Sequence, residues 1–272
     1  MELLHGADPA TAHGAAMGPC EILPGQLWLG AAPAGNPDTC ATLARAGVTH
    51  VVNCTETAPY PTPEQVPGRA GAGVVGHRIP VEDTPGADIA GRIEGALDFM
   101  RGAVRDSGVV YVHCAMGVSR SSTVVIAYRM SEQRETLREA YERVKEARPV
   151  ISPNLGFFRV LVELEERASK GTCTLGLTEY ATQKLQEDMK AYAWTGIDAA
   201  AVSAAVEASN GDIERAKAAL EMRVRNFLDD VNAAPVLTAA ESIPSAVPLA
   251  AVSSSRSVPE QPRHGAGTGG SK

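Results

Sequence analysis

Cys114 and Arg120 stand in the spacing Cys-x5-Arg, inside the run His113-Cys-Ala-Met-Gly-Val-Ser-Arg-Ser121. A thiol, a guanidinium and a glycine this close together suit chemistry on a tetrahedral oxyanion. A free thiol has a pKa of about 8.5, and one facing backbone N–H groups, a helix amino end and a guanidinium falls below about 7. Thiolate attack on phosphorus makes a phosphocysteine. Charge on the equatorial oxygens of the transition state then needs planar, forked donors, which Arg supplies and Lys does not. Gly117 lets the loop turn tightly with its N–H inward. The N–H groups of Ala115, Met116, Gly117, Val118, Ser119 and Arg120 are expected to form a phosphate cup, completed by the open end of the following helix. Ser119 and Ser121 are placed to donate to the thiolate or to help it leave. His113 is expected to tie down the loop by hydrogen bonds rather than act as a base, and the plainer reading of Cys114 is a buried structural thiol.

A leaving alkoxide or phenoxide needs a proton. The best candidate donor is Asp83 in Ile79-Pro-Val-Glu-Asp-Thr-Pro-Gly86, which follows a predicted strand and adjoins a Pro-Gly turn. It would donate in a first step and accept a proton from water in a second. Glu82 and Asp88 compete for the role, and the plainer reading of Asp83 is a turn-capping carboxylate.

The elements around the cup must hold it. Val109 to Val112 read as a buried strand, and the run from Ser121 to about Met130 reads as a helix start after the loop. Upstream, Glu21 to Gly30 reads as a strand pair around a Pro-Gly turn, and Asn36 caps a helix that Gly47 closes. Val48 to Cys54 and Val74 to Val81 are predicted strands. Asp88 to about Asp106 is an amphipathic helix, with Ile89, Ile93, Leu97, Met100 and Val104 on one face. A helix from Thr136 to Ala147 stops at Pro149, and Ser152-Pro153 caps another that runs to about Ser169. Alternating strands and helices imply an α/β fold with a mainly parallel central sheet flanked by helices, the cup lying at the carboxyl edge of a central strand.

The predicted organisation is a disordered stretch 1–18, a catalytic domain 19–168, a linker 169–176, a three-helix domain 177–230 and a disordered tail 231–272. Glu179 to Tyr192, Ala199 to Ser209 and Ile213 to about Arg223 read as its helices, with Asn210-Gly211-Asp212 as a tight turn and cap. With 272 residues, 44% hydrophobic and only 4% aromatic, the chain holds one core of ordinary size built on Ala, Val and Leu, plus a small second unit. A net charge of -7 argues against nucleic acid or an anionic membrane as a partner. No apolar run is long enough to span a bilayer, and Met1 to Cys20 lacks the pattern of a signal peptide. A cytoplasmic location is expected, with the nucleus as the alternative. The five cysteines show no metal-ligand spacing and read as free thiols; no metal and no cofactor is expected.

His113 to Ser121 resembles the HCxxGxSRS signature of dual-specificity protein phosphatases. Ile22-Leu-Pro-Gly-Gln-Leu-Trp-Leu-Gly30, Ala46-Gly-Val-Thr-His-Val-Val-Asn53, the Asp83 loop and Ser152-Pro-Asn-Leu-Gly-Phe157 are similar to that family in the same order. The resemblance covers about residues 19 to 168. It implies a metal-free phosphatase of the cysteine-dependent superfamily acting on phosphotyrosine and phosphoserine or phosphothreonine in proteins, with Cys114 as nucleophile, Arg120 as phosphate binder and Asp83 as general acid. By the same carry-over Asn154 holds the cup's backbone, and Cys54, expected at the same sheet edge as Cys114, matches a second cysteine that in some relatives forms a reversible disulfide. The plainer reading of Cys54 is a buried apolar thiol. Ala115, Met116 and Val118 leave the cup without the lysines that suit inositol phosphates, which favours a singly phosphorylated protein side chain. With no docking domain or basic cluster before residue 19, the chain reads as a small atypical member.

Thr195 to Leu220 resembles the second and third helices of ubiquitin-associated domains. The turn Asn210-Gly-Asp-Ile-Glu-Arg-Ala216 fits that pattern, while the usual Met-Gly-Phe/Tyr loop is replaced by Trp194-Thr-Gly-Ile197. The resemblance implies ubiquitin, or another protein, as a partner through residues 177–230. Val202, Ala205, Val206, Ile213, Ala216 and Leu220 form its expected core, with Trp194 and Ile197 either core or patch. Rival readings are an adaptor for phosphoproteins or ubiquitin with vestigial catalysis, and a rhodanese-like sulfur transferase or arsenate reductase. Neither of the last two needs the Asp83 and Asn154 segments.

Overall fold

The computed structural model describes residues 18–233. The expected disorder of 1–18 and of the tail falls outside them, apart from Gly18 and the end of the last helix. Strands β1 (Cys20–Leu23) and β2 (Leu27–Ala31) pair antiparallel, and β3 (His50–Asn53), β4 (Val75–Arg78) and β5 (Val110–Cys114) extend β2 in parallel. The order is β1-β2-β5-β3-β4, so the strand that ends in Cys114 is the middle of five.

β5 is buried along its whole length, and its residues alternate between two cores. Val110, Val112 and Cys114 face the larger core, while Tyr111 joins Val51, Leu43 and Cys40 on the other side. Helix α1 (Pro37–Arg45), capped by Asn36 Oδ1 accepting from the Thr39 N–H at 3.0 Å, covers this second face. Against the larger core pack α2 (Ala90–Arg105), α3 (Arg120–Glu132), α4 (Leu137–Ala147) and α5 (Leu155–Ala168). Every residue of α3 from Ser121 to Arg129 is buried, which makes it a central helix rather than an amphipathic surface one. Two hydrophobic layers on a mainly parallel sheet are the architecture the alternation of elements predicts.

The expected elements are present with ends trimmed by a few residues. One cap differs: Asn154, not Ser152-Pro153, starts α5, its Oδ1 accepting from the Phe157 N–H at 3.0 Å. Pro153 has no N–H and forces the residue before it to be extended, so the helix begins only after it.

The C-terminal helices are α6 (Leu177–Met189), followed by a 3-10 turn at Lys190–Thr195, α7 (Ala199–Ala208) and α8 (Ile213–Ala233). The turn at Asn210-Gly211 and the Asp212 cap are as expected, both residues of the turn having positive φ. α8 runs about three turns past Arg223 because nothing between there and Pro235 breaks a helix. Ile197, Val202, Val206, Ala216 and Leu220 are buried together with Leu185 and Met189, while Trp194 is exposed.

The expected linker 169–176 is fastened at its end. Leu175 is buried in the phosphate-cup domain's core, and the Thr174 N–H and hydroxyl both donate to the Glu165 carboxylate at 2.8 Å. Tyr180 of α6 stacks on Phe158 with ring centroids 3.6 Å apart and meets Tyr141 edge-on. α6 therefore serves two cores, Tyr180 in one and Leu185 and Met189 in the other. A buried aromatic ring at the start of a polar-looking helix explains why composition alone reads this segment as separate.

Candidate active site

β5 delivers Cys114 to the carboxyl edge of the sheet, and the chain turns through residues 115–119 into α3. Gly117 has φ +69°, and a Cβ there would lie 2.4 Å from the Gly30 carbonyl carbon, so the turn admits only glycine. The Gly117 N–H and the Ser121 hydroxyl both donate to Cys114 Sγ at 3.2 Å. Burial by itself pushes this thiol up. Hydrogen bonds from the Ser121 hydroxyl and from the N–H groups of Ser121, Val118 and Met116 outweigh that and leave it below its ordinary value. Cys114 is thus a buried thiol with hydrogen-bond donors turned onto its sulfur.

Arg120 opens α3 and lays its guanidinium beside the cup, Nη1 donating to Val81 O at 3.2 Å. Its Nε is buried without a hydrogen-bond partner and sits 3.5 Å from Asp83 Oδ2, an ionic approach rather than a formed hydrogen bond. Asp83 Oδ1 accepts from the Ser119 hydroxyl at 2.6 Å and from Asn154 Nδ2 at 2.9 Å. The Ser119 hydroxyl in turn accepts from the Asn154 N–H at 3.0 Å. The Asp83 carboxyl group from one loop meets the Arg120 guanidinium and the Cys114 thiol from another at the start of α3.

The cup opens into a cleft of about 380 Å³ lined by Ala32, Thr55, Glu56, Thr57, Glu82 and Arg120 among others. Arg78 builds its 55–58 wall, donating to the carbonyls of Thr55, Glu56 and Ala58 at 2.8–3.1 Å. A larger groove of about 500 Å³, with Leu97, Met130 and Leu164 in its lining, lies at the other end of α3 and contains none of these groups.

Residues 27–167, more than half of the chain, match the family model described as "Dual specificity phosphatase, catalytic domain". The chain belongs to the dual-specificity phosphatase family. The phosphatase is 39% identical over 150 residues to dual specificity phosphatase 28 of Homo sapiens, covering 55% of this chain and 80% of that one. To dual specificity protein phosphatase 26 of Bos taurus it is 40% identical over 152 residues, 56% of this chain and 69% of that protein. The crystal structure of human DUSP28 aligns at 36% identity over 56% of this chain and 95% of its own, with a TM-score of 0.48.

The phosphatase brings Cys114, Arg120, Ser121, Asp83, Ser119 and Asn154 together: spacing within one loop suggests Cys114, Arg120 and the two serines, the loop after a strand suggests Asp83, and the family resemblance suggests Asn154. Glu82 lines the cleft, and Asp88 caps the start of α2, its Oδ1 accepting from the Gly91 N–H at 2.9 Å. His113 is fully buried, with Nδ1 at 3.2 Å from Cys114 O and its ring stacked on Tyr111. Burial holds its pKa down at about 4, so it is neutral at neutral pH, in keeping with a structural role. Asn154 reaches the cup through Ser119 and Asp83, and the backbone bond to the loop comes instead from the Ser152 N–H to Val118 O at 2.9 Å. Cys54 is fully buried in the apolar core, its backbone N–H donating to His113 O at 2.7 Å. Burial, and then the nearby Cys114 charge, push its thiol well up.

Arg148 was not predicted. Its side chain is fully buried and has no carboxylate partner among the described residues; Nε donates to Gly117 O at 2.8 Å, Nη2 to Met116 O at 3.1 Å and Nη1 to Gly18 O at 2.6 Å. Holding the carbonyls of Met116 and Gly117 outward keeps their peptide N–H groups facing the cup. The only signal in the sequence was a lone Arg before Pro149 at a helix end, which reads equally well as a surface cation.

Proposed function

We propose that this protein phosphatase hydrolyses phosphotyrosine and phosphoserine or phosphothreonine monoesters by two displacements at Cys114. The observation that carries the reading is the Cys114 thiol held below its ordinary pKa inside a ring of donors, next to a buried guanidinium and within reach of a carboxyl group. Cys114 Sγ attacks phosphorus, the P–O ester bond breaks, and Asp83 gives its proton to the leaving oxygen. The cup's N–H groups and Arg120 take up the charge of the equatorial oxygens. Water then attacks the phosphocysteine, Asp83 takes its proton, the S–P bond breaks and the Ser121 hydroxyl steadies the departing thiolate. No metal or cofactor enters either step. Against an adaptor with vestigial catalysis stands the complete set of reacting groups.

The cleft favours a single phosphate on a protein side chain: its lining carries Glu56 and Glu82, and Arg120 is the one cation among the lining residues. Hydrolysis of an aryl phosphate should be blocked by vanadate, indifferent to chelator and abolished by Cys114→Ser. Activity that survives that substitution or requires metal refutes the mechanism. Phosphoinositides turned over much faster than phosphopeptides would refute the substrate class.

A second role is favoured by one surface. Trp194, 62% exposed, leans edge-on against Phe227, and the exposed Tyr192 and Leu228 line one hollow beside Val224. Grouped apolar exposure of this kind suits a protein partner, and the resemblance of residues 195–220 makes ubiquitin the one to test. Titrating labelled ubiquitin into the full chain should give saturable shifts lost in Trp194→Ala; no shift removes ubiquitin as partner. Among the described residues no helix is long and apolar enough to cross a membrane. Five unpaired cysteines fit a reducing compartment, cytoplasmic or nuclear.

A further inference from the structure

The loop from Ile151 to Asn154 is held from both sides. On the catalytic side the Ser152 N–H donates to Val118 O at 2.9 Å, and Asn154 binds Ser119 and Asp83. On the opposite side three consecutive residues are tied to α6 or to a group that α6 holds. The Tyr180 hydroxyl donates to Pro153 O at 2.6 Å, Lys184 Nζ donates to the Ser152 hydroxyl at 2.7 Å, and Lys145 Nζ donates to Ile151 O at 2.9 Å while pairing with Glu187 at 3.2 Å. α6 is itself pinned along its length. Its first turn carries Glu179, which takes both oxygens to Arg138 Nη2 at 2.8 Å, and its ring at Tyr180 lies flat on Phe158.

The helix that this loop leads into meets the Asp83 loop from a second direction. Gly156, in the first turn of α5, packs so closely on the Asp83 loop that a Cβ would lie 1.8 Å from Pro85 O. Any tilt of the Ser152–Asn154 segment therefore moves both the amide that binds Asp83 and the helix end that the Asp83 loop rests on.

We propose that Tyr180 and Lys184, outside the family's catalytic domain as matched, are positioning residues for the general acid, acting through Ser152–Pro153 and Asn154 on Asp83. The proposal rests on the reading of Asp83 as the acid. α6 thereby joins the C-terminal helices to proton delivery: the same helix whose Leu185 and Met189 build the small core sets the loop that aims the carboxyl group. A positioning fault shows up selectively. Substrates whose leaving oxygen is strongly basic need the proton, and substrates with a weakly basic leaving group do not.

The test uses the full chain with Tyr180→Phe, which keeps the stacked ring and deletes only the hydroxyl, and with Lys184→Met. Turnover is compared between a phosphothreonine peptide and an aryl phosphate with an acidic phenol, each variant also being made in an Asp83→Asn background. Expected is a loss of roughly tenfold on the peptide with little loss on the aryl ester, and no further selective loss once Asp83 is Asn. Equal losses on both substrates, an unchanged ratio accompanied only by lower thermal stability, or losses that multiply with that of Asp83→Asn overturn the positioning role. If Asp83→Asn itself leaves the ratio unchanged, the acid reading fails first and the proposal falls with it.

Discussion

At the scale of single residues, the proposed catalysis depends on donors aimed at one sulfur. Ser121 is the side chain among them, and removing its hydroxyl strips a hydrogen bond that the thiolate accepts and the thiol does not need. Ser121→Ala is expected to raise the Cys114 pKa, so the rise of iodoacetate inactivation with pH should move to higher pH. An unmoved profile would show that the backbone donors suffice. Arg148 acts one step back. Arg148→Met leaves the carbonyl of Gly117 unpaired in the interior, at about 1–3 kcal/mol, and is expected to weaken vanadate binding as well as lower the melting temperature. Lower stability with unchanged vanadate affinity would confine Arg148 to folding. Cys114, Arg120 and Ser121 were readable because spacing within one loop fixes their relation. Arg148 lies thirty-one residues from the carbonyl it binds, and no local pattern reports such a pair.

At the scale of elements, the sheet and helices were readable from period and caps: the alternation along β5, the Asn36 cap, the amphipathic face of α2. What period could not show was how closely elements approach. Gly156 is an ordinary helix residue by sequence, yet its missing Cβ lets α5 press against Pro85 of the acid loop. Gly156→Ala is expected to destabilise the fold by about 1–3 kcal/mol through overpacking and to reduce turnover of phosphothreonine peptides more than that of activated aryl esters. Equal effects on both would mean that the acid loop is not displaced. The start of α5 also reads differently in three dimensions. Asn154 is a helix cap through Oδ1 and a partner of Asp83 through Nδ2, so the structural and the functional reading of that residue are both true.

At the scale of the whole molecule, the chain contains a dual-specificity phosphatase domain whose core is completed by the helix that follows it. Composition changes after residue 169 suggested a linker and a separate unit, and they hid Leu175 and Tyr180, two apolar side chains in a polar stretch. A chain ended after Ala168 exposes the ring of Phe158 on which Tyr180 lies. Losing that aromatic packing should cost about 3 kcal/mol and lower the melting temperature by roughly 6–12 °C; a truncated chain that melts with the full one would show the two regions to be independent. The proposed chemistry sends the phosphate through Cys114. Acid quenching during turnover of a phosphopeptide, followed by peptide mapping, tests it most directly. Phosphate is expected on the peptide that holds Cys114, increased when Asp83→Asn also slows hydrolysis of the intermediate, and no phosphopeptide is expected in Cys114→Ser. Steady turnover with no phosphate on Cys114, or with phosphate on another residue, would contradict it.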